Sequence, residues 1–262
     1  ILVGDSASKD PEQISKIVNS SNPNLIQSTP SRWEMMLSNG FKPQKEIVFL
    51  TGGEAINYDL KEQLTNISSQ VWNMYGPTET TIWSCLAKLE KGKSITIGKP
   101  IANTQVYILN EQLAPVSIGT LGQLCISGFG LSRGYVNQPD LTAEKFVSNP
   151  FKKGDKLYLT GDLASWRPDG NIQFYGRNDH QVKLNGYRIE LGEIEAALSN
   201  LNSIRQSAVM VLKDDNDAKS LVGYIVSDSE MDQKEIQKSD RYGRFLALEN
   251  LIICRWFCHR PR

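Results

Sequence analysis

The feature that most restricts this chain is an alternation over its first hundred residues, in which short apolar runs are separated by segments of helical periodicity. Residues 24–28, 47–50 and 71–74 read as strands. Asp10 can cap a helix with Pro11 at its first position, and Ile14, Ile17 and Val18 form that helix's apolar stripe. Thr29 and Pro30 start a second helix with Trp33, Met36 and Leu37 on one face, and Gly40 closes it. A third helix carries Leu60, Leu64 and Ile67. Strand–helix repetition of this kind implies an α/β fold with a largely parallel, helix-covered sheet. Ligands of such sheets sit beyond the carboxyl ends of the strands. The loops after Leu50 and after Met74 occupy that position.

The texture then changes. Residues 95–175 carry short alternating strands, such as 105–109 and 122–127, between Gly- and Pro-containing turns, which reads as a small β-rich subdomain. Asn178-Asp179-His180 is a polar joint. A compact α+β unit follows, with a strand at 181–184, a turn at Gly186, a helix around 191–198 and strands near 208–212 and 221–226. From Ser227 onward the chain reads as polar and irregular. The expected organisation is therefore 1–178, 179–228 and an atypical tail at 229–262.

Charge narrows the function classes. Lys+Arg and Asp+Glu are both 29, so bulk charge draws the chain to neither nucleic acid nor an anionic membrane. No apolar run has the length that spans a bilayer. The opening on Ile1 rather than Met reads as a cut inside a longer polypeptide. Cys85 and Cys125 lie alone in strand-like segments and are expected to pack as small apolar residues. Cys254, Cys258 and His259 suggest a metal site, but no second ligand cluster accompanies them, which disfavours a structural zinc. A reducing, cytoplasmic location is expected.

Three segments carry chemistry. Asn73-Met74-Tyr75-Gly76-Pro77-Thr78-Glu79-Thr80-Thr81 is a tight turn after a strand, and it also offers an aromatic face for a base, a hydroxyl and backbone N–H groups for a phosphate, and a carboxylate for Mg²⁺. Tyr158-Leu159-Thr160-Gly161-Asp162 places an acid after a strand and a glycine, a common acceptor of ribose hydroxyls and an equally common turn. Gly176 to Glu190 is a charged stretch that reads alone as a solvated connector.

In this order and spacing, and with Gly122-Gln123-Leu124-Cys125-Ile126-Ser127-Gly128 and Leu131-Ser132-Arg133-Gly134-Tyr135 between them, these segments resemble the adenylate-forming superfamily, specifically the adenylation domains of nonribosomal peptide synthetases. The resemblance runs from Ile1 to about Val226. It implies the carboxyl-terminal portion of the large AMP-binding domain followed by part of the small lid domain. It further implies that Asn73 reads the adenine edge, Tyr75 stacks on the ring, Phe174 adds an apolar contact, Asp162 binds the ribose and Arg177 lies by ribose and phosphate. Thr78 would contact phosphate, Glu79 would hold Mg²⁺, Asp179 would be the hinge, and Lys183 would lie in the loop after it. Gly186 and Tyr187 would turn inward for thioester formation. The implied chemistry is ATP- and Mg²⁺-dependent activation of an amino acid and its transfer to phosphopantetheine on a carrier domain, beside a condensation domain.

The resemblance also places Gln27, Leu50, Gly52, Met74, Ile82 and Trp83 around the acyl pocket. None of the six is charged, and an indole takes up volume, so the expected substrate is small and neutral, with glycine favoured. The family's phosphate loop and final catalytic lysine are absent, and the sequence after Val226 departs from the pattern, as an altered end or the start of an inserted domain such as a methyltransferase. An acyl-CoA or aryl-acid ligase of the same superfamily, and a catalytically incomplete nucleotide-binding fragment, remain the alternatives.

Overall fold

The computed structural model describes residues 10–179, 181–184, 187–201, 204–213, 219–227 and 248–254. The chain divides into two compact units, Ile1–Asp179 and His180–Arg262.

The first unit begins with α1 (Pro11–Ser21), β1 (Leu25–Ser28), α2 (Pro30–Ser38), β2 (Val48–Gly52), α3 (Tyr58–Ile67) and β3 (Val71–Tyr75). The expected helix starts are present. The Asp10 carboxylate accepts from the N–H groups of Glu12 and Gln13, and Asn57 caps α3 by accepting from the Leu60 N–H at 2.7 Å. The second helix starts at Pro30 behind Thr29, as expected. Thr29 makes no side-chain cap bond; Glu54, from the loop after β2, accepts from the Ser31 N–H at 3.2 Å and from its hydroxyl. A carboxylate far along the chain thus satisfies an orphan N–H of this helix start. Gly40, at φ +77°, ends the turn after α2 as expected.

Strands β1, β2 and β3 are parallel neighbours, and β4 (Cys85–Leu89) and β5 (Lys99–Pro100) continue the sheet antiparallel. The largely parallel sheet that was expected is parallel in its first three strands, with an antiparallel edge in β4 and β5. The helices supply Trp33, Met36, Leu60 and Leu64 to a core shared with Phe49, Val71 and Leu89 of the sheet. Trp33 and Phe49 lie 4.7 Å apart between ring centroids. Complete burial of an apolar side chain such as Phe49 stabilises by about 1.5–3 kcal/mol.

The β-rich subdomain is a second, antiparallel sheet. It comprises β6 (Thr104–Leu109), β7 (Gly122–Gly128), β8 (Phe146–Ser148) after the short helix α4 (Pro139–Lys145), β9 (Lys156–Trp166) and β10 (Ile172–Arg177). The strand order is β10-β9-β7-β6, with β8 on β9. Tyr75 and Cys85 of the first sheet share a buried cluster with Ile108, Leu124, Ile126, Ala164 and Ile172 of the second.

The second unit contains the β11 (Gln181–Leu184) and β12 (Tyr187–Glu190) pair, α5 (Leu191–Ser199), β13 (Ile204–Lys213) and β14 (Lys219–Ser227). Its own core joins Leu184, Leu191, Ile194, Leu198, Val209, Leu221 and Ile225. Residues beyond Ser227 were expected to be irregular, yet Leu248–Cys254 forms β15, paired parallel to β14. Gly186, Cys258 and His259 lie outside the described residues.

Candidate active site

The segment after β3 folds back on itself. Gly76 permits this, because a Cβ there would meet the Ile82 carbonyl oxygen at 2.4 Å and the Trp83 Cα at 2.6 Å. Thr78–Thr80 makes a single 3₁₀ turn, and the loop is closed by the Ser84 N–H donating to the Tyr75 carbonyl at 2.7 Å. Thr81 and Ile82 stand at φ 60° and 67°, a left-handed conformation that β-branched residues rarely adopt. Local strain of this kind collects at functional loops. The Thr78 side chain is exposed, and Glu79 is 5% exposed.

Four residues expected to contact the nucleotide converge beside this loop. The Tyr75 hydroxyl donates to Asp162 Oδ2, and Arg177 Nη1 donates to Asp162 Oδ1 at 3.0 Å. Arg177 also grips Asp179 with two bonds of 2.6 Å, from Nε and from Nη2. The Phe174 ring centroid lies 6.0 Å from that of Tyr75. Burial, reinforced by the Asp162 charge, holds the Tyr75 phenol well above its ordinary range, so it stays a donor.

Register explains this convergence. Asp162 and Arg177 are directly opposed in β9 and β10, and Phe174 opposes Ala164. Asp162 does not follow a strand, as its sequence suggested; it lies inside β9. Gly161, at φ +77°, introduces the break that re-aims it. A Cβ on Gly161 would come within 2.7 Å of Arg177 Nη2 and 2.8 Å of Asp179 Oδ2, so glycine also clears the way for that ion pair.

Asn73 is buried, and its Nδ2 donates to the Thr96 carbonyl at 2.8 Å. That bond fixes the amide and leaves Oδ1 as its acceptor end. Glu79 accepts from the Tyr135 hydroxyl at 2.7 Å. Burial, ahead of the Glu79 charge and of bonding with Tyr135 and Glu79, raises the Tyr158 phenol above its ordinary range. Tyr135 and Tyr158 had no sequence-level role, because no local pattern reports which side chain meets a carboxylate from another loop.

Four of the expected pocket residues share one face of the first sheet. Gln27 opposes Leu50, Leu50 and Gly52 are two apart on β2, and Gly52 opposes Met74. Trp83 packs onto this face: a Cβ on Gly52 would meet its Cη2 at 2.6 Å and Cζ3 at 2.7 Å. Ile82 is 63% exposed. Lys183 lies in the second unit, half-buried in β11 opposite Arg188. Among the described residues, no group of three or more His, Cys, Asp or Glu side chains could hold a metal unaided. Also among them, no helix is long and apolar enough to cross a membrane.

Comparison with known proteins fits this arrangement. The family model for the AMP-binding enzyme matches residues 1–136. The dimodular nonribosomal peptide synthase of Bacillus subtilis (strain 168) is 44% identical over 233 residues, covering 88% of this chain and 10% of its own length. Bacitracin synthase 1 of Bacillus licheniformis is 43% identical over 231 residues, covering 83% of this chain and 4% of its own. The chain thus spans a tenth or less of these relatives. Among solved structures, the four-domain nonribosomal peptide synthetase holo-AB3403, bound to AMP and glycine, is 36% identical with a TM-score of 0.65 over 96% of this chain and 19% of its own. PA1221, which contains adenylation and PCP domains, shares the fold at a TM-score of 0.79 and 24% identity over 94% of this chain and 51% of its own. The chain belongs to the AMP-binding enzyme family of adenylate-forming ligases, in its nonribosomal peptide synthetase branch.

Proposed function

We propose that this chain forms part of an amino-acid adenylation domain that activates a small neutral amino acid, glycine in first place, as aminoacyl-AMP. The observation that carries this reading is the junction of Tyr75, Asp162 and Arg177 beside the Glu79 loop. It gathers an aromatic ring, a ribose-type acceptor, a fixed cation and a carboxylate at the carboxyl end of a parallel strand.

In the first half-reaction, a substrate carboxylate oxygen attacks the α-phosphorus of ATP. A new phosphorus–oxygen bond forms, the α–β bridge breaks, and pyrophosphate leaves with the bond's electrons. Tyr75 and Phe174 would flank the base, the Asn73 Oδ1 would accept from its amino group, and Asp162 would accept from the ribose hydroxyls. Thr78 would donate to phosphate and Arg177 would add positive charge close by. Glu79 and the exposed Thr78 hydroxyl form an oxygen donor set that suits Mg²⁺, an ion that uses one or two carboxylates and takes its remaining ligands from phosphates and water. Bound there, Mg²⁺ would neutralise charge developing on the phosphate oxygens. These residues work by positioning and electrostatics, so no enzyme nucleophile is needed.

In the second half-reaction, the thiol of a phosphopantetheine arm on a carrier domain takes the acyl group and AMP leaves. Asp179 would be the hinge between the two half-reactions, with Lys183 and Tyr187 on the segment that follows it. Carrier and condensation domains are the expected partners. The preference for glycine is supported by Trp83 lying over Gly52, which removes side-chain volume from the pocket face, and by the similar synthetase bound to AMP and glycine.

The test is amino-acid-dependent pyrophosphate exchange by the protein that carries this chain, across a panel of amino acids. Glycine is expected to lead, and Glu79→Gln to reduce exchange by orders of magnitude. Trp83→Ala is expected to raise the relative activity of valine or leucine, with the shift bounded by about 1–3 kcal/mol per methylene accommodated. A preference for a bulky or charged amino acid would refute the small-pocket reading. An unchanged ranking in Trp83→Ala would remove Trp83 from the substrate's path.

A further inference from the structure

We propose that Tyr135, backed by Tyr158, is a positioning residue for the nucleotide–metal site: its phenol fixes the Glu79 carboxylate in the orientation from which it meets its cation. The proposal deepens the adenylation reading and rests on it.

Two loops from different sheets are tied together here by several bonds. The Ser132 N–H donates to the Glu79 carbonyl at 2.8 Å, and the Thr81 hydroxyl donates to the Gly130 carbonyl at 2.7 Å. Gly130 allows the approach, since a Cβ there would stand 2.9 Å from the Thr80 carbonyl oxygen. Across this seam the Tyr135 hydroxyl reaches Glu79 Oε1 at 2.7 Å.

Tyr135 is itself held from behind. Its N–H donates to Thr142 Oγ1 at 2.9 Å, and Thr142 Oγ1 donates in turn to the Gln138 carbonyl at 2.8 Å. Gly134, at φ +136°, brings the chain so close to Thr142 that a Cβ would stand 2.3 Å from its methyl group. The Tyr135 ring meets Phe146 edge-on at 5.6 Å, and Phe146 lies 5.0 Å from Tyr158. Phe146 and Tyr158 are buried, so the aromatic trio is fixed by packing.

The chemistry follows from the inventory of donors. A carboxylate at the end of a short side chain rotates freely unless its oxygens are bonded. A phenol that donates to Oε1 selects one rotation. It also cannot compete as a cation, as a lysine or arginine in the same place would. Hydrogen bonds to a ligating carboxylate of this kind typically govern 10–100-fold in metal affinity or activity.

The experiment compares wild type, Tyr135→Phe and Tyr158→Phe in the protein that carries this chain. Binding of Mn²⁺ in the presence of a non-hydrolysable ATP analogue is followed by electron paramagnetic resonance, and the Mg²⁺ dependence of pyrophosphate exchange is measured beside it. Tyr135→Phe is expected to raise the metal concentration at half-saturation by about tenfold in both assays. The amino-acid KM should stay within about twofold and the melting temperature near that of wild type, which a merely structural role would not produce. An unchanged metal midpoint in folded Tyr135→Phe overturns the proposal and leaves the adenylation reading standing. Absence of nucleotide-dependent Mn²⁺ binding and exchange in wild type overturns the adenylation reading, and the proposal with it. If Tyr135→Phe does not fold, Tyr158→Phe decides by the same metal readout: a raised midpoint supports the proposal and an unchanged one overturns it.

Discussion

Single residues decide the site because several are buried with charge. Asp162 is 5% exposed and accepts from both Tyr75 and Arg177. Asp162→Asn keeps the shape and removes the charge. It turns one acceptor oxygen into a donor, so the ion pair with Arg177 is lost and the Tyr75 bond persists only if the phenol turns to accept. A loss of about 1–3 kcal/mol in unfolding free energy is expected, the scale of a buried partner left unsatisfied. Arg177 retains Asp179, which limits the damage. Urea denaturation checks the figure, and a loss under about 0.5 kcal/mol would show the cluster to be solvated. Ile82 is the opposite case. It is mostly exposed at φ 67°, so its side chain stabilises little and its backbone is strained. The left-handed conformation costs about 1–2 kcal/mol for an ordinary residue, against about 0.5–1 kcal/mol for the extra freedom of an unfolded glycine. Ile82→Gly is therefore expected to leave stability equal or slightly higher, and a fall of more than about 1 kcal/mol in the same titration would reveal packing at that side chain.

At the scale of elements, α3 is anchored by an unusual residue. Lys61 is fully buried, with Nζ donating to the Lys93 carbonyl at 2.5 Å, lying 2.8 Å from Glu62 and standing 4.3 Å from the Tyr58 ring centroid. It ties the helix to the turn after β4. Lys61→Met keeps most of the apolar stem and orphans the Lys93 carbonyl, so a loss of about 1–3 kcal/mol is expected by denaturant melting. Faster amide hydrogen exchange near Lys93 should accompany it. Elements of this kind were legible in part. The apolar runs at Phe49 and Val71 identify strands because one face is packed under helices, and Asp10 with Pro11 states a helix start locally. What escaped was whatever depends on a partner far along the chain. Glu54 satisfies an N–H at the start of α2, Asp162 lies within β9 rather than after a strand, and β15 emerges from a stretch whose neighbouring charges suggested irregularity. The nucleotide residues were named through family resemblance, whereas the bonds that orient them, from Thr96 to Asn73 and from Tyr135 to Glu79, follow only from the fold.

At the scale of the molecule, the first unit has two sheets and its cores decide whether they act as one body. Cys85 sits in the cluster that joins them, and Cys125 lies in a small cluster within the second sheet, beside Leu109 and Leu157. Both are free and buried thiols. Burial pushes each from 9.0 up to about 12, so neither is a thiolate at neutral pH. In a Cys254→Ser/Cys258→Ser background, a thiol reagent at pH 8 is expected to leave both unmodified in the native protein. On denaturation both should label at the same midpoint, because the shared cluster makes the two sheets one cooperative unit. Separate midpoints for Cys85 and Cys125 would show that the sheets open independently. The raised values also set the sign of the alkaline response. Between pH 9 and 12 the folded thiols keep protons that the unfolded chain has released. Their contribution is complete below pH 9 and is lost as pH rises through 12, so stability should fall across that window. Replacing both thiols by alanine flattens this part of the pH profile if the thiols cause it. An unchanged slope in that variant would assign the alkaline loss to other groups.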